Sequence, residues 1–220
     1  MMKKNGFTLA EVLITLAIIG VVATLTLPSL MANTSEQQAV TGFRKAMNTL
    51  NEAGQMNAAL EGFDYGQLTN VDDVPNANGA TVNADTGVPE MSLWSLLASR
   101  AQVDATASAA GGIGGDCDGL SQIIFRDGTA LCYTAADAGP AGDSDGVIPV
   151  IIDTNGVKAP NRLSTCGEAS CKKDSRNIGD QFHATLRGSV AVPGHIDVSN
   201  GVVTEDATPE GYAASWAMRK

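Results

Sequence analysis

The 220-residue sequence predicts an α+β protein: a long N-terminal helix, half of it in a membrane, packed on an antiparallel sheet of about four strands. Three observations carry this. An apolar run, Phe7 to Leu27, passes directly into a polar stretch with a helical apolar stripe. The second half holds short apolar runs separated by Gly and Asp turn signals. Aromatic residues make up only 5 % of the chain, with Gly, Ala, Asn, Asp, Ser and Thr filling its middle, a composition of short strands and many turns rather than a helical bundle.

The first element begins Met1-Met2-Lys3-Lys4-Asn5-Gly6 and continues apolar through Leu27, with Glu11 as its one charge. As a helix the 21 residues would span roughly 31 Å, the thickness of a bilayer's hydrocarbon. The two preceding lysines place the N-terminus in the cytoplasm and the body outside. A secretory signal has a shorter core and a small-residue cleavage site; here Leu27-Pro28-Ser29-Leu30 follows instead. A plain signal anchor fits the length but not the acid. A carboxylate in lipid costs on the order of a few kcal/mol, so Glu11 needs a partner. Pro28 cannot donate to the helix ladder and crowds the carbonyl four residues back, which predicts a kink or local melting over Thr24 to Pro28, with the Thr24 and Thr26 hydroxyls partly satisfying the freed groups.

Gly6-Phe7-Thr8-Leu9-Ala10-Glu11 resembles the processing motif of type IV prepilins and type II secretion pseudopilins. The basic leader, the acid four residues beyond Phe7 and the proline near the end of the span agree with that family. The resemblance implies cleavage after Gly6 by a membrane prepilin peptidase and methylation of the new amino terminus at Phe7. It also implies the pilin fold, and assembly in which Glu11 neutralises the amine of a neighbouring subunit. A charge-assisted pair in low dielectric is strong, and breaking it strands a charge, so Glu11 would set the register of docking. Gly6 lets an extended backbone enter the peptidase cleft.

Four segments follow: a leader (1–6), a membrane and polymerisation helix (7–30), its amphipathic continuation (31–62) and a globular head (63–220). Val40, Phe43, Met47 and Leu50 give the continuation an apolar stripe that packs on a sheet. Residues 63–116 read as an insertion: a loop over Asn70 to Pro89, a short helix over Glu90 to Arg100, and a small-residue connection over Ala105 to Gly115. Leu120 to Arg126 and Thr129 to Thr134 flank Asp127-Gly128, a hairpin signal. Val147 to Asp153 is a strand that Pro149 assigns to an edge or a strand start. Phe182 to Arg187 and Ser189 to Val192 form a hairpin or one strand bent at Gly188. Tyr212 and Trp216 dock on the body or belong to a tail.

The formal charge of −10 argues against a nucleic-acid partner, which would need a basic face. Removal of the leader leaves 12 basic against 24 acidic side chains, or −12. Cys117, Cys132, Cys166 and Cys171, four thiols in an exported body, read as disulfides before a four-thiolate metal site. The short loop favours Cys166 with Cys171, leaving Cys117 with Cys132, although three connectivities are open. Asp153-Thr154-Asn155-Gly156, with Pro160-Asn161, reads first as an Asx turn leaving a strand. Its second reading is a calcium site with Asp153 and Asn155 as ligands; position 164 is Ser where an EF-hand would place Glu. Asp137, Asp143 and Asp145 read as a solvated acidic loop, and His183 and His195 as structural or exposed. No nucleophile elbow, phosphate loop or metalloprotease motif is present, so the expectation is not an enzyme and no cofactor, with calcium the sole candidate.

The reading is therefore a structural subunit, on its size a minor one, of a type IV pilus or type II pseudopilus. It sits first in the inner membrane and then in the filament. Its partners are other pilin subunits, the prepilin peptidase and an inner-membrane assembly platform. The alternative is a membrane-tethered binding or adhesion module.

Overall fold

In the computed structural model the described residues are 7–68, 93–104, 113–133, 147–165, 178–194, 196–199, 202–205 and 209–219, with the backbone alone described at 28–33, 196–199, 202–205 and 210. Gly6, Cys166, Cys171, Asp137, Asp143, Asp145, His195 and the Asn70 to Pro89 loop lie outside the described residues.

Helix α1 runs from Leu9 to Leu60, 52 residues, or about 78 Å. It ends where Gly62 takes a φ of 78°. The expected melting between Thr24 and Pro28 does not occur: α1 is helical without interruption through Pro28. The missing N–H removes one rung from a very long ladder, and the turns on both sides carry it. The Thr24 and Thr26 hydroxyls donate to carbonyls upstream, of Val21 (2.9 Å) and Val22 (3.0 Å), the usual back-bonding within a helix.

Five strands form a meander: β1 Ser121–Ile124, β2 Ala130–Tyr133, β3 Val147–Asp153, β4 Gln181–Arg187 and β5 Val190–Pro193, each antiparallel to its neighbours in chain order. The expectation of about four falls one short because the chain reverses at Gly188 (φ 53°) as a hairpin, making β5 a strand of its own. The outer edge of β5 is closed by α1, where Asn51 Oδ1 accepts the Ala191 N–H at 2.8 Å. Strands β6 (Ile196–Ser199) and β7 (Val202–Glu205) pair separately. The β1–β2 turn is the expected one, with Gly128 at φ 91° and Asp127 Oδ1 accepting from the Thr129 N–H and hydroxyl.

Period decides the core. Ala39, Val40, Phe43, Ala46, Met47, Leu50 and Ala53 recur at helical spacing, and all are buried. They meet alternate residues of the sheet, among them Leu131, Ile148, Val150, Ile152, Phe182 and Leu186. Phe43 stacks on Phe182 with ring centroids 4.6 Å apart. Strand β2 is buried on both faces: Ala130 and Cys132 join Ile113 and Cys117 in a second small core. There the Cys117–Cys132 disulfide forms with the expected pairing. Two further α-helices lie in the head among the described residues. In α2 (Leu93–Arg100) Leu93, Leu96 and Leu97 are buried. The C-terminus docks rather than trailing, as helix α3 (Pro209–Arg219), whose Ala213, Ala214 and Ala217 enter the core. Arg44 Nε donates to the Ala217 carbonyl at 2.8 Å, tying α3 to α1. A long helix on an antiparallel sheet is the α+β arrangement consistent with a pilin fold.

Candidate assembly helix and processing site

The first turn of α1 is built by a capping box. Thr8, extended at φ −78° and ψ 152°, is the N-cap, and Glu11 stands three residues on. Glu11 Oε2 accepts the Thr8 backbone N–H and the Thr8 hydroxyl, each at 2.8 Å, while Thr8 Oγ1 accepts the Glu11 N–H at 3.3 Å. Phe7, immediately before, is 90 % exposed.

From Leu9 to Leu27 the helix has a mean hydropathy of 2.3, and none of it is buried against the rest of the chain. A helix apolar on every side is stable in lipid or among other helices, not in water. Past residue 34 the same helix becomes one-sided and enters the head. One element thus carries two environments, and Glu11 is the single ionised side chain in the lipophilic half.

The loop singled out in the head has different work. Asp153 is fully buried, and its Oδ1 accepts the N–H groups of Asn155 (3.0 Å) and Gly156 (2.7 Å), an Asx turn. Its Oδ2 accepts from Gln181 Nε2 at 2.9 Å. Asn155 Nδ2 donates to Asp180, whose carboxylate also accepts the N–H groups of Asn161 and Arg162. Burial pushes the Asp153 carboxyl above its usual range; the bonds from Gln181 and the two backbone N–H groups offset part of this, and the nearby Asp180 charge adds to it. Asp180 and Gln181 escaped the sequence reading because nothing in their spacing marks contacts made 25 to 28 residues away. His183 is half-buried in β4.

A long apolar helix with one capped carboxylate in its first turn, joined to an α+β head, fits a membrane-anchored filament subunit. Residues 1–27 match the family described as the prokaryotic N-terminal methylation motif, the prepilin-type cleavage and methylation motif of type IV pilins and pseudopilins. The motif supports a type IV pilin-like or pseudopilin subunit and implies processing by a prepilin peptidase and assembly with other pilin subunits. No curated protein and no solved structure matches the chain significantly.

Proposed function

We propose that the chain is a minor structural subunit of a type IV pilus or type II secretion pseudopilus. On this reading it is made as an inner-membrane precursor with its N-terminus in the cytoplasm, cut after Gly6, methylated on Phe7 and delivered by a membrane assembly platform. The observation that carries the proposal is a carboxylate, Glu11, four residues beyond Phe7, in the half of α1 (Leu9–Leu27) that is not buried against the described residues of its own chain. Cleavage creates an amine at Phe7, and Glu11 of one subunit is the group that neutralises the amine of the next. The subunit works as a filament part and performs no chemistry of its own; the peptidase and the methylation act on it. We assign it no cofactor: in the loop that resembles a calcium site the Asp153 carboxylate accepts from protein N–H groups, while Asn155 Oδ1 is buried with no hydrogen-bond partner among the described residues. The head's length and the insertion over 63–116 favour a minor subunit.

The test is Glu11→Val in cells with an active peptidase, with intact mass of membrane protein and of sheared filaments. The variant should insert, lose residues 1–6 and stay out of filaments. Filament entry at the native level would sink the proposal, as would a wild-type chain still beginning at Met1.

A further inference from the structure

We propose that Thr8 is a positioning residue for Glu11, holding one carboxylate oxygen and leaving the other for the amine of an incoming subunit. This rests on the filament reading above and adds a residue to it.

The geometry divides the carboxylate unevenly. Both Thr8 donors, backbone N–H and hydroxyl, go to Oε2 at 2.8 Å. Oε1 carries no hydrogen bond among the described residues. A carboxylate accepts at about four lone-pair positions, so the cap fills one side and leaves the other available. Two consequences follow. While the subunit waits in the bilayer, its one ionised side chain in the span is partly solvated by its own helix start, where the exposed N–H groups also favour a negative charge. When a neighbour arrives, its amine needs the open oxygen, so docking leaves the cap in place. The side chain is already fixed in one rotamer, and little further freedom is lost on pairing.

No other group along the span duplicates this. Phe7 and Leu9 lack a hydroxyl, and the Thr15 hydroxyl donates to the Val12 carbonyl at 2.9 Å. The bond cut in processing lies between Gly6 and Phe7, so the Phe7–Thr8 amide that supplies one donor is present before and after cleavage.

The donor atoms dictate the test. Serine keeps the hydroxyl; valine keeps the shape and the backbone N–H but loses the O–H. Full-length Thr8→Val, Thr8→Ser and Glu11→Val are produced in cells with the peptidase and the assembly machinery. Filament entry is counted per cleaved subunit, and cleavage and methylation are read by intact mass. Thr8→Val should be cut and methylated yet enter filaments roughly tenfold less often, the effect of losing one hydrogen bond to a charged group. Thr8→Ser should stay within about twofold of wild type, since the same bond is kept. Native entry by Thr8→Val overturns the proposal, as does a serine variant no better than valine. Complete loss of cleavage in Thr8→Val also overturns it, because Thr8 would then serve peptidase recognition. Native entry by Glu11→Val instead overturns the filament reading, so the two failures are distinct.

Discussion

Gly54 of α1 packs closely against Tyr65 and Ser189, and Gly54→Ala sets two known effects against each other. Alanine is the better helix former by about 1 kcal/mol, which alone would stabilise α1. A Cβ at this position, however, would lie 2.6 Å from Tyr65 Cε2 and 2.7 Å from the Ser189 carbonyl oxygen. Neither neighbour yields easily. Tyr65 is fully buried, its hydroxyl donates to the Leu50 carbonyl at 2.7 Å, and its backbone N–H donates to Gly188. Ser189 belongs to the β4–β5 turn, so moving it displaces the strand whose edge Asn51 closes. Overpacking of this kind costs about 1–3 kcal/mol, and loss of the Tyr65 bond about 1 more. The clash wins, for a net destabilisation of about 1–3 kcal/mol. Gly42→Ala is the control, because its Cβ would meet the Thr154 side chain at 3.0 and 3.4 Å and backbone only at an ordinary contact distance, the Thr154 carbonyl oxygen at 3.6 Å. It should change stability by less than about 1 kcal/mol. Urea unfolding of the full-length protein in detergent, followed by Trp94 and Trp216 fluorescence, reads both. A Gly54→Ala protein as stable as wild type, or more so, would refute the argument, since the helix and the turn would then not be in contact.

Two further outcomes rest on the head. Replacing Cys117 and Cys132 together by Ser should cost about 3 kcal/mol, the loop-closure value for a separation of 15 residues, seen as a lower urea midpoint; an unchanged midpoint would mean the second core holds without its staple. Asp153, raised by burial, binds its proton more tightly folded than unfolded, so its contribution to stability falls as pH rises through about 4 and levels off above the raised folded value. The stability of wild type minus that of Asp153→Asn should therefore shrink from about pH 4 towards neutrality, and a difference that grows with pH would reverse the sign assigned to this carboxyl.

The parts legible in the sequence are those whose physics is local. An apolar run matched to a bilayer, lysines before it and an acid within it are features of consecutive residues, so the membrane half could be read in order. The β1–β2 turn was equally plain, because Asp127, Gly128 and Thr129 complete it among themselves. The apolar stripe from Val40 to Leu50 announced a packed face without naming what lay opposite. What stayed hidden lies far apart in sequence. The Asn51–Ala191 bond joins residues 140 positions apart, and Arg44 reaches Ala217 across 173. The Asx turn at Asp153 was visible, but its buried support from Gln181 and its neighbour Asp180 were not. Helix α3 was readable in principle, with Pro209 at its start and three alanines along it, yet only docking shows why those residues are small. The capping box, Thr8-x-x-Glu11, was in plain view and was absorbed into the processing motif.

The division of α1 into two environments also argues for a polar register device. Residues that pack the head half are specific in shape: Phe43 stacks on Phe182, and Gly54 meets Ser189. The membrane half offers Leu, Ile and Val on all sides, among them Leu13, Ile14, Ile18, Ile19 and Val22, each more than half exposed. Lipid tails are as apolar as these side chains, so exchanging lipid for a neighbouring helix gains little from the hydrophobic effect. A uniform apolar surface also packs nearly as well one turn up as one turn down. In the proposed filament the apolar half therefore supplies contact without position, and position has to come from a group that is costly to misplace. Glu11 is the only ionised side chain in that half, and a slip of one helical turn, about 5.4 Å, would separate it from a neighbour's amine and leave both charges unpaired.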